Sequence, residues 1–155
     1  MSSRHVTIRA ATLEDTGAIW SIYQTAIPET AKRKQEYWEK LIRAGGMFIA
    51  ELPPLAIGFG GIDFDATEHI RYVYVEPEYQ RSGLRVGLRI LRTLEAAARQ
   101  KEIGLLRLHS TPNAVGFYEK GGYSVVEPED TIGHDHPGVE MVKDLRVQDR
   151  SLMRR

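Results

Sequence analysis

Residues 75–87 read VEPEYQRSGLRVG, and they set the frame for the rest of the chain. A β-rich run ends at Val75. Pro77 blocks its continuation, and a helix is expected to open near Gly83. Such a strand–loop–helix junction makes an anion site for a physical reason. The first amides of a helix have no partner inside it and point outward together. The helix dipole adds partial positive charge there. Glycines at 83 and 87 would let a phosphate approach the backbone. The loop lacks the Lys-Ser/Thr that ends a P-loop, and Gly-x-Gly-x-x-Gly is absent, so neither nucleotide-binding motif fits.

Working outward, the chain alternates elements in a fixed order. His5–Ala10 alternates as a strand. Thr12 and Asp15 form an acidic variant of the capping box and open a helix that Pro28 ends. Its apolar face is Leu13, Ala18, Ile19, Ile22, Tyr23 and Ala26. A second helix over Lys32–Ala44 carries Tyr37, Trp38, Leu41 and Ile42 and stops at Gly45–Gly46. Strands follow at Met47–Leu52, Leu55–Asp63 and His69–Val75, and glycines in the second suggest a bend or a close backbone approach. The long helix runs from the loop to about Lys101, with Leu84, Leu88, Leu91 and Leu94 at helical spacing. Leu105–His109 is a strand, Pro112–Lys120 a short helix, and Tyr123–Val126 and Val139–Leu145 the last strands. The order β-α-α-β-β-β-α-β-α-β-β defines one mixed α/β domain over residues 1–145, with a polar tail at 146–155.

Composition narrows the function. The chain has 155 residues, 42% apolar and 27% charged, as a single globular domain requires. Its 21 basic and 21 acidic residues cancel, which argues against nucleic acid as partner. Cysteine is absent, so thiolate metal sites, disulfides and a cysteine nucleophile are excluded. Nothing in the sequence has the length of a membrane span or the pattern of a signal peptide, so a cytoplasmic protein is expected.

Residues 113–123, NAVGFYEKGGY, lie about 30 residues beyond the glycine loop. Together with V-x-P-x-Y-Q-x-x-G at Val75–Gly83, and with the element order, they resemble the GNAT superfamily of acetyl-CoA-dependent N-acetyltransferases. The resemblance implies a GNAT-like fold with a splayed central sheet and acetyl-CoA as cosubstrate, with no metal. It implies an amine acceptor, and a homodimer is common in that superfamily. The strand through Val73, Tyr74 and Val75 would part from the strand at 105–109, leaving room for the pantetheine arm. The amides of Gln80, Arg81, Ser82, Gly83, Leu84 and Arg85 would hold the pyrophosphate. Asn113 would bind pantetheine or phosphate, and Tyr118 would protonate the leaving thiolate, as a phenol with a reference pKa near ~10 can. An amide near Val75 would stabilise the oxyanion.

His69, fourteen residues before Gly83, matches the position where some members carry a general base. Asp63, Asp65, Glu68 and a water chain are alternatives. Tyr23, Tyr72 and Tyr74 are candidates to line the acceptor pocket, with Trp38 read as core. His134-Asp135-His136 is too small and too local for a metal site. Arg81, Arg85, Arg89 and Arg92 form a basic stripe that would attract coenzyme phosphates. Arg85 departs from the family pattern, which has Gly or Ala there. A coenzyme-binding domain without transfer, or one using another acyl group, is the competing reading.

Overall fold

Two helix faces and one broken sheet organise the molecule. The computed structural model describes residues 5–23, 31–127 and 138–146. Strands β1 (Thr7–Ala10), β2 (Met47–Leu52), β3 (Leu55–Ile62) and β4 (Ile70–Val75) form an antiparallel sheet in the order β1-β2-β3-β4. Strands β5 (Leu105–Ser110), β6 (Ser124–Val125) and β7 (Val139–Asp144) form a second sheet in the order β5-β7-β6. Helices α1 (Thr16–Tyr23), α2 (Ala31–Arg43), α3 (Val86–Gln100) and α4 (Val115–Lys120) complete the order expected from the sequence.

Each face of the first sheet has its own core. On one face Ile19, Ile22 and Tyr23 of α1 and Trp38 and Leu41 of α2 bury against Met47, Ile49 and Phe59. On the other, Val86, Ile90, Leu91, Leu94 and Ala98 of α3 bury against Ile57, Ile62, Val75, Leu106 and Leu108. Thus α3 spans both sheets and holds them in one core. Its closeness depends on Gly60, since a Cβ there would collide with Ile90. The close approach expected from the β3 glycines is therefore a helix seat. The apolar face of α3 passes through Ile90 and Ala98 as well as Leu91 and Leu94; Leu84 stays in the loop because the helix begins at Val86, and Leu88 is only half-buried.

Local starts follow the sequence with small shifts. The Thr12 amide donates to Asp15 Oδ2 at 2.7 Å, but the turn it opens, Leu13–Asp15, is 3-10 before α1 begins. Arg9 also grips Asp15 at 2.8 Å and holds that carboxyl down at about 2. Pro112–Ala114 is likewise a 3-10 turn ahead of α4. In β4 the register slips between Ile70 and Tyr72, leaving Arg71 as the unpaired residue of a bulge.

Candidate active site

The break between β4 and β5 is the centre of the site. At its closed end the strands touch. His69 N–H donates to the Arg107 carbonyl at 3.1 Å. The Arg107 amide donates to His69 Nδ1 at 3.3 Å, and the His109 amide donates to Glu68 Oε1 at 3.1 Å. Among the described residues, β4 from Ile70 onward pairs only with β3, and β5 only with β7. The two strands therefore open like a V.

Ladder alternation says which groups face the opening. The Glu76 amide donates to Ile57 O at 2.8 Å. Counting along the register, Tyr74 and Tyr72 also exchange bonds with β3, opposite Phe59 and Gly61. Val73 and Val75 are the intervening positions, so their N–H and C=O groups point away from β3 into the gap. The Val75 carbonyl already accepts from Gln80 Nε2 at 2.9 Å. Gln80 thus ties the loop back onto the end of β4.

Beyond β4 the loop is shaped by its own side chains. Ser82 Oγ donates to Tyr79 O at 2.9 Å and accepts from the Leu84 amide at 3.3 Å. Gly83 and Arg85 both have positive φ, 83° and 54°. This overturns the expectation that the helix begins near Gly83: a left-handed Arg85 cannot belong to it, and α3 starts at Val86. The Arg85 carbonyl accepts from Arg89 N–H at 3.0 Å, so the Val86, Gly87 and Leu88 amides point out of the helix start. A Cβ on Gly83 would meet nothing within 4 Å, whereas one on Gly87 would stand 3.3 Å from the Phe117 ring. Gly83 therefore leaves room beside the amides. The space at Gly87 belongs to α4. Arg81, Arg85, Arg89 and Arg92 are all exposed.

Through Phe117, α4 is seated on the first turn of α3, and Val75, Val86, Phe117 and Tyr118 share one apolar cluster. Tyr118 lies edge-on to Phe117 and Tyr123, with ring centres 5.0 and 5.9 Å away. Burial alone pushes its phenol up to about 12, so it holds its proton at neutral pH. Asn113 is exposed on the turn before α4.

His69 sits apart from this group, four residues before Val73, roughly 13 Å along an extended strand. Burial lowers its pKa, Arg107 lowers it further, and Asp63 opposes them. With Nδ1 accepting from the Arg107 amide, the neutral ring carries its hydrogen on Nε2. Asp63 is buried and engaged. Burial raises its pKa, but the Tyr37 hydroxyl at 2.7 Å, the Asp65 amide and the charges of Lys40 and Arg71 hold it below the usual range. Asp65 is exposed.

Glu68 belongs to a ladder that the sequence does not reveal. Arg71 NH1 lies 2.7 Å from Glu68 Oε2. Glu68 Oε1 is 3.2 Å from His109 Nδ1, and His109 Nε2 is 3.6 Å from Glu140 Oε1. Arg107 NH1 completes it at 3.0 Å from Glu140 Oε2. Ionic and imidazole side chains in turn cross the closed end from β4 to β7.

On the α1–α2 face, Tyr72 and Tyr74 are half-buried, each 6.0 Å or less from Tyr23. Burial pushes the Tyr72 phenol up to about 12, with the neighbouring Trp38 N–H opposing it. Trp38 is fully buried, as core packing requires. His134-Asp135-His136 lies outside the described residues. Among those described, no group of three or more His, Cys, Asp or Glu could hold a metal ion. No helix among them is long and apolar enough to cross a membrane.

A split sheet with a helix start at the mouth of the split defines a GNAT-type acyltransferase fold. The chain belongs to that family: the acetyltransferase (GNAT) domain model matches residues 14–145. The PaiA N-acetyltransferase from Thermoplasma acidophilum, solved with coenzyme A, superposes with a TM-score of 0.68 at 23% identity, covering 93% of this chain and 99% of that one. N-acetylglutamate synthase from Neisseria gonorrhoeae, solved with coenzyme A and N-acetyl-glutamate, gives 0.71 at 20% identity, covering 93% of this chain. The chain spans 36% of that synthase. Ard1 from Thermoplasma volcanium gives 0.70 at 21% identity, covering 93% and 99%. No curated protein sequence matches the chain.

Proposed function

We propose that the protein transfers the acetyl group of acetyl-CoA to a primary amine of a small molecule or peptide, by direct attack within a ternary complex. The observation that carries this reading is the open V, where the outward backbone groups of Val73 and Val75 adjoin the free amides of Val86, Gly87 and Leu88. The V suits a thin amide-bearing chain such as pantetheine, which pairs with Val73–Val75 like an added strand. The loop from Gln80 to Arg85 and the first amides of α3 hold the pyrophosphate. Asn113 binds the same arm from the α4 side. Coenzyme A in the similar structures supports this choice of ligand.

In the reaction the amine nitrogen bonds to the acetyl carbon and the carbon–sulfur bond breaks. A gap-facing amide of β4 near Val75 donates to the oxygen as charge develops on it. Tyr118 gives its proton to the departing sulfur. The amine's proton leaves through water toward the closed end of the V, where His69 is the candidate acceptor, taking it on Nδ1 in place of the hydrogen bond from the Arg107 amide. The competing reading, coenzyme binding without transfer or with another acyl donor, draws on Arg85 in the glycine loop.

Calorimetry with acetyl-CoA, followed by a panel of amines with thiol release as readout, tests the proposal. Saturable binding and amine-dependent release are expected. Binding with no release from any amine favours the competing reading, and no binding at millimolar coenzyme overturns both.

A further inference from the structure

A fully buried carboxylate sits in the middle of α3, at Glu95, which is 0% exposed. Three side chains donate to it. Tyr123 Oη reaches Oε2 at 2.8 Å, Arg92 NH1 reaches Oε1 at 2.9 Å, and Lys143 Nζ lies 3.2 Å from both oxygens. The same two cations reach further. Lys143 Nζ and Arg92 NH1 both donate to the Gly121 carbonyl, at 2.9 and 3.2 Å.

These contacts converge on the turn that follows Tyr118. The Tyr118 carbonyl accepts from the amides of Gly121 and Tyr123, at 2.9 and 3.0 Å. The Tyr123 ring, anchored through its hydroxyl to Glu95, lies edge-on to the Tyr118 ring. Gly121 packs so closely on Leu91 of α3 that a Cβ would stand 3.0 Å from it. Helix α4 has only six residues and cannot hold its own shape. Its C-terminal turn is clamped by one cation from α3 and one from β7, and Glu95 is the counter-charge that lets both be there.

We infer that Glu95 is a positioning residue: it fixes the backbone after Tyr118 and the ring beside it, and so aims the Tyr118 hydroxyl. The inference rests on Tyr118 acting as the proton donor. Burial, the largest effect, lowers the Lys143 pKa, and Glu95 works against that loss. A neutral side chain of the same shape would leave Arg92 and Lys143 without their shared anion. The turn would relax, while the β4 edge and the start of α3, where the coenzyme lies in this reading, would keep their own contacts.

The test is a double-mutant cycle of Glu95→Gln with Tyr118→Phe, measured as kcat and KM for acetyl-CoA on the folded proteins. Glu95→Gln should lower kcat about tenfold with KM within about twofold, and should lower the already slow Tyr118→Phe enzyme by less than about twofold. A loss that merely reflects fewer folded molecules would be the same factor in both backgrounds. Equal factors in both backgrounds, or an unchanged kcat in Glu95→Gln, would overturn the inference while leaving Tyr118 in its role. If Tyr118→Phe is as fast as the wild type, the proton-donor reading falls and this inference falls with it. Where Glu95→Gln fails to fold, Tyr123→Phe replaces it, removing one hydroxyl and keeping the ring. The same non-additive pattern is then expected at about threefold, and additivity overturns it.

Discussion

The two ends of β4 solve the same problem in opposite ways. At its start, the outer edge of the strand is closed: His69 bonds Arg107 through both backbone and ring, and Glu68 takes the His109 amide that a neighbouring strand would otherwise accept. At its end, Val73 and Val75 turn their polar groups into a gap that no strand crosses among the described residues. Buried backbone groups seldom go without partners. In the function proposed above, the edge left open beside a helix start is the one that takes the ligand.

Four changes break or sharpen that contrast. Tyr118→Phe acts at the open end and should slow acetyl transfer by roughly 10²-fold with little change in coenzyme affinity. Steady-state rates with calorimetry check this, and an unchanged rate removes Tyr118 from its role. Glu68→Ala acts at the closed end. It strands the His109 amide and should cost about 1–3 kcal/mol of stability by urea denaturation. Equal stability would mean the ladder contributes nothing to holding the strands together.

Arg85→Gly comes next. A left-handed arginine costs about 1 kcal/mol, which glycine relieves, so the variant should unfold at higher temperature. Coenzyme binding should weaken roughly two- to fivefold, since an exposed cation beside a phosphate is worth little more. Tighter binding would mean that the side chain crowds the site.

The smallest effect belongs to His69. Its pKa in the folded protein lies below the ordinary value of 6.5, chiefly through burial. The unfolded chain therefore binds the proton first. Stability is full above about pH 6.5 and falls as the pH drops toward the folded pKa. His69→Gln should flatten that acid limb in thermal melts, and an unchanged limb would put its origin elsewhere. If His69 also takes the amine's proton, kcat/KM should fall over the same acid range in the wild type alone.

Much of this frame can be read from the chain. MFIAEL is a strand at Met47–Leu52 to the residue, because its composition and the Pro53–Pro54 turn leave no alternative. The Thr12–Asp15 box and the β3 glycines also meant what their chemistry suggested. The start of α3 was not legible, because an arginine at φ 54° has no sequence signal. The side-chain ladder was hidden for another reason. Arg107 and Glu140 stand 33 positions apart and meet only once β5 and β7 pair. Glu95 stands among Arg92 and Arg99 on the same helix, and only the fold shows that it faces inward.

The most direct test follows the backbone itself. Amide hydrogen exchange at Val73 and Val75, read by NMR with and without coenzyme A, asks whether the open edge is where the coenzyme pairs. Both amides should slow markedly on binding, while Tyr72 and Tyr74, already bonded to β3, change little. Coenzyme binding that leaves Val73 and Val75 exchanging as before would contradict the assignment of the V as its slot.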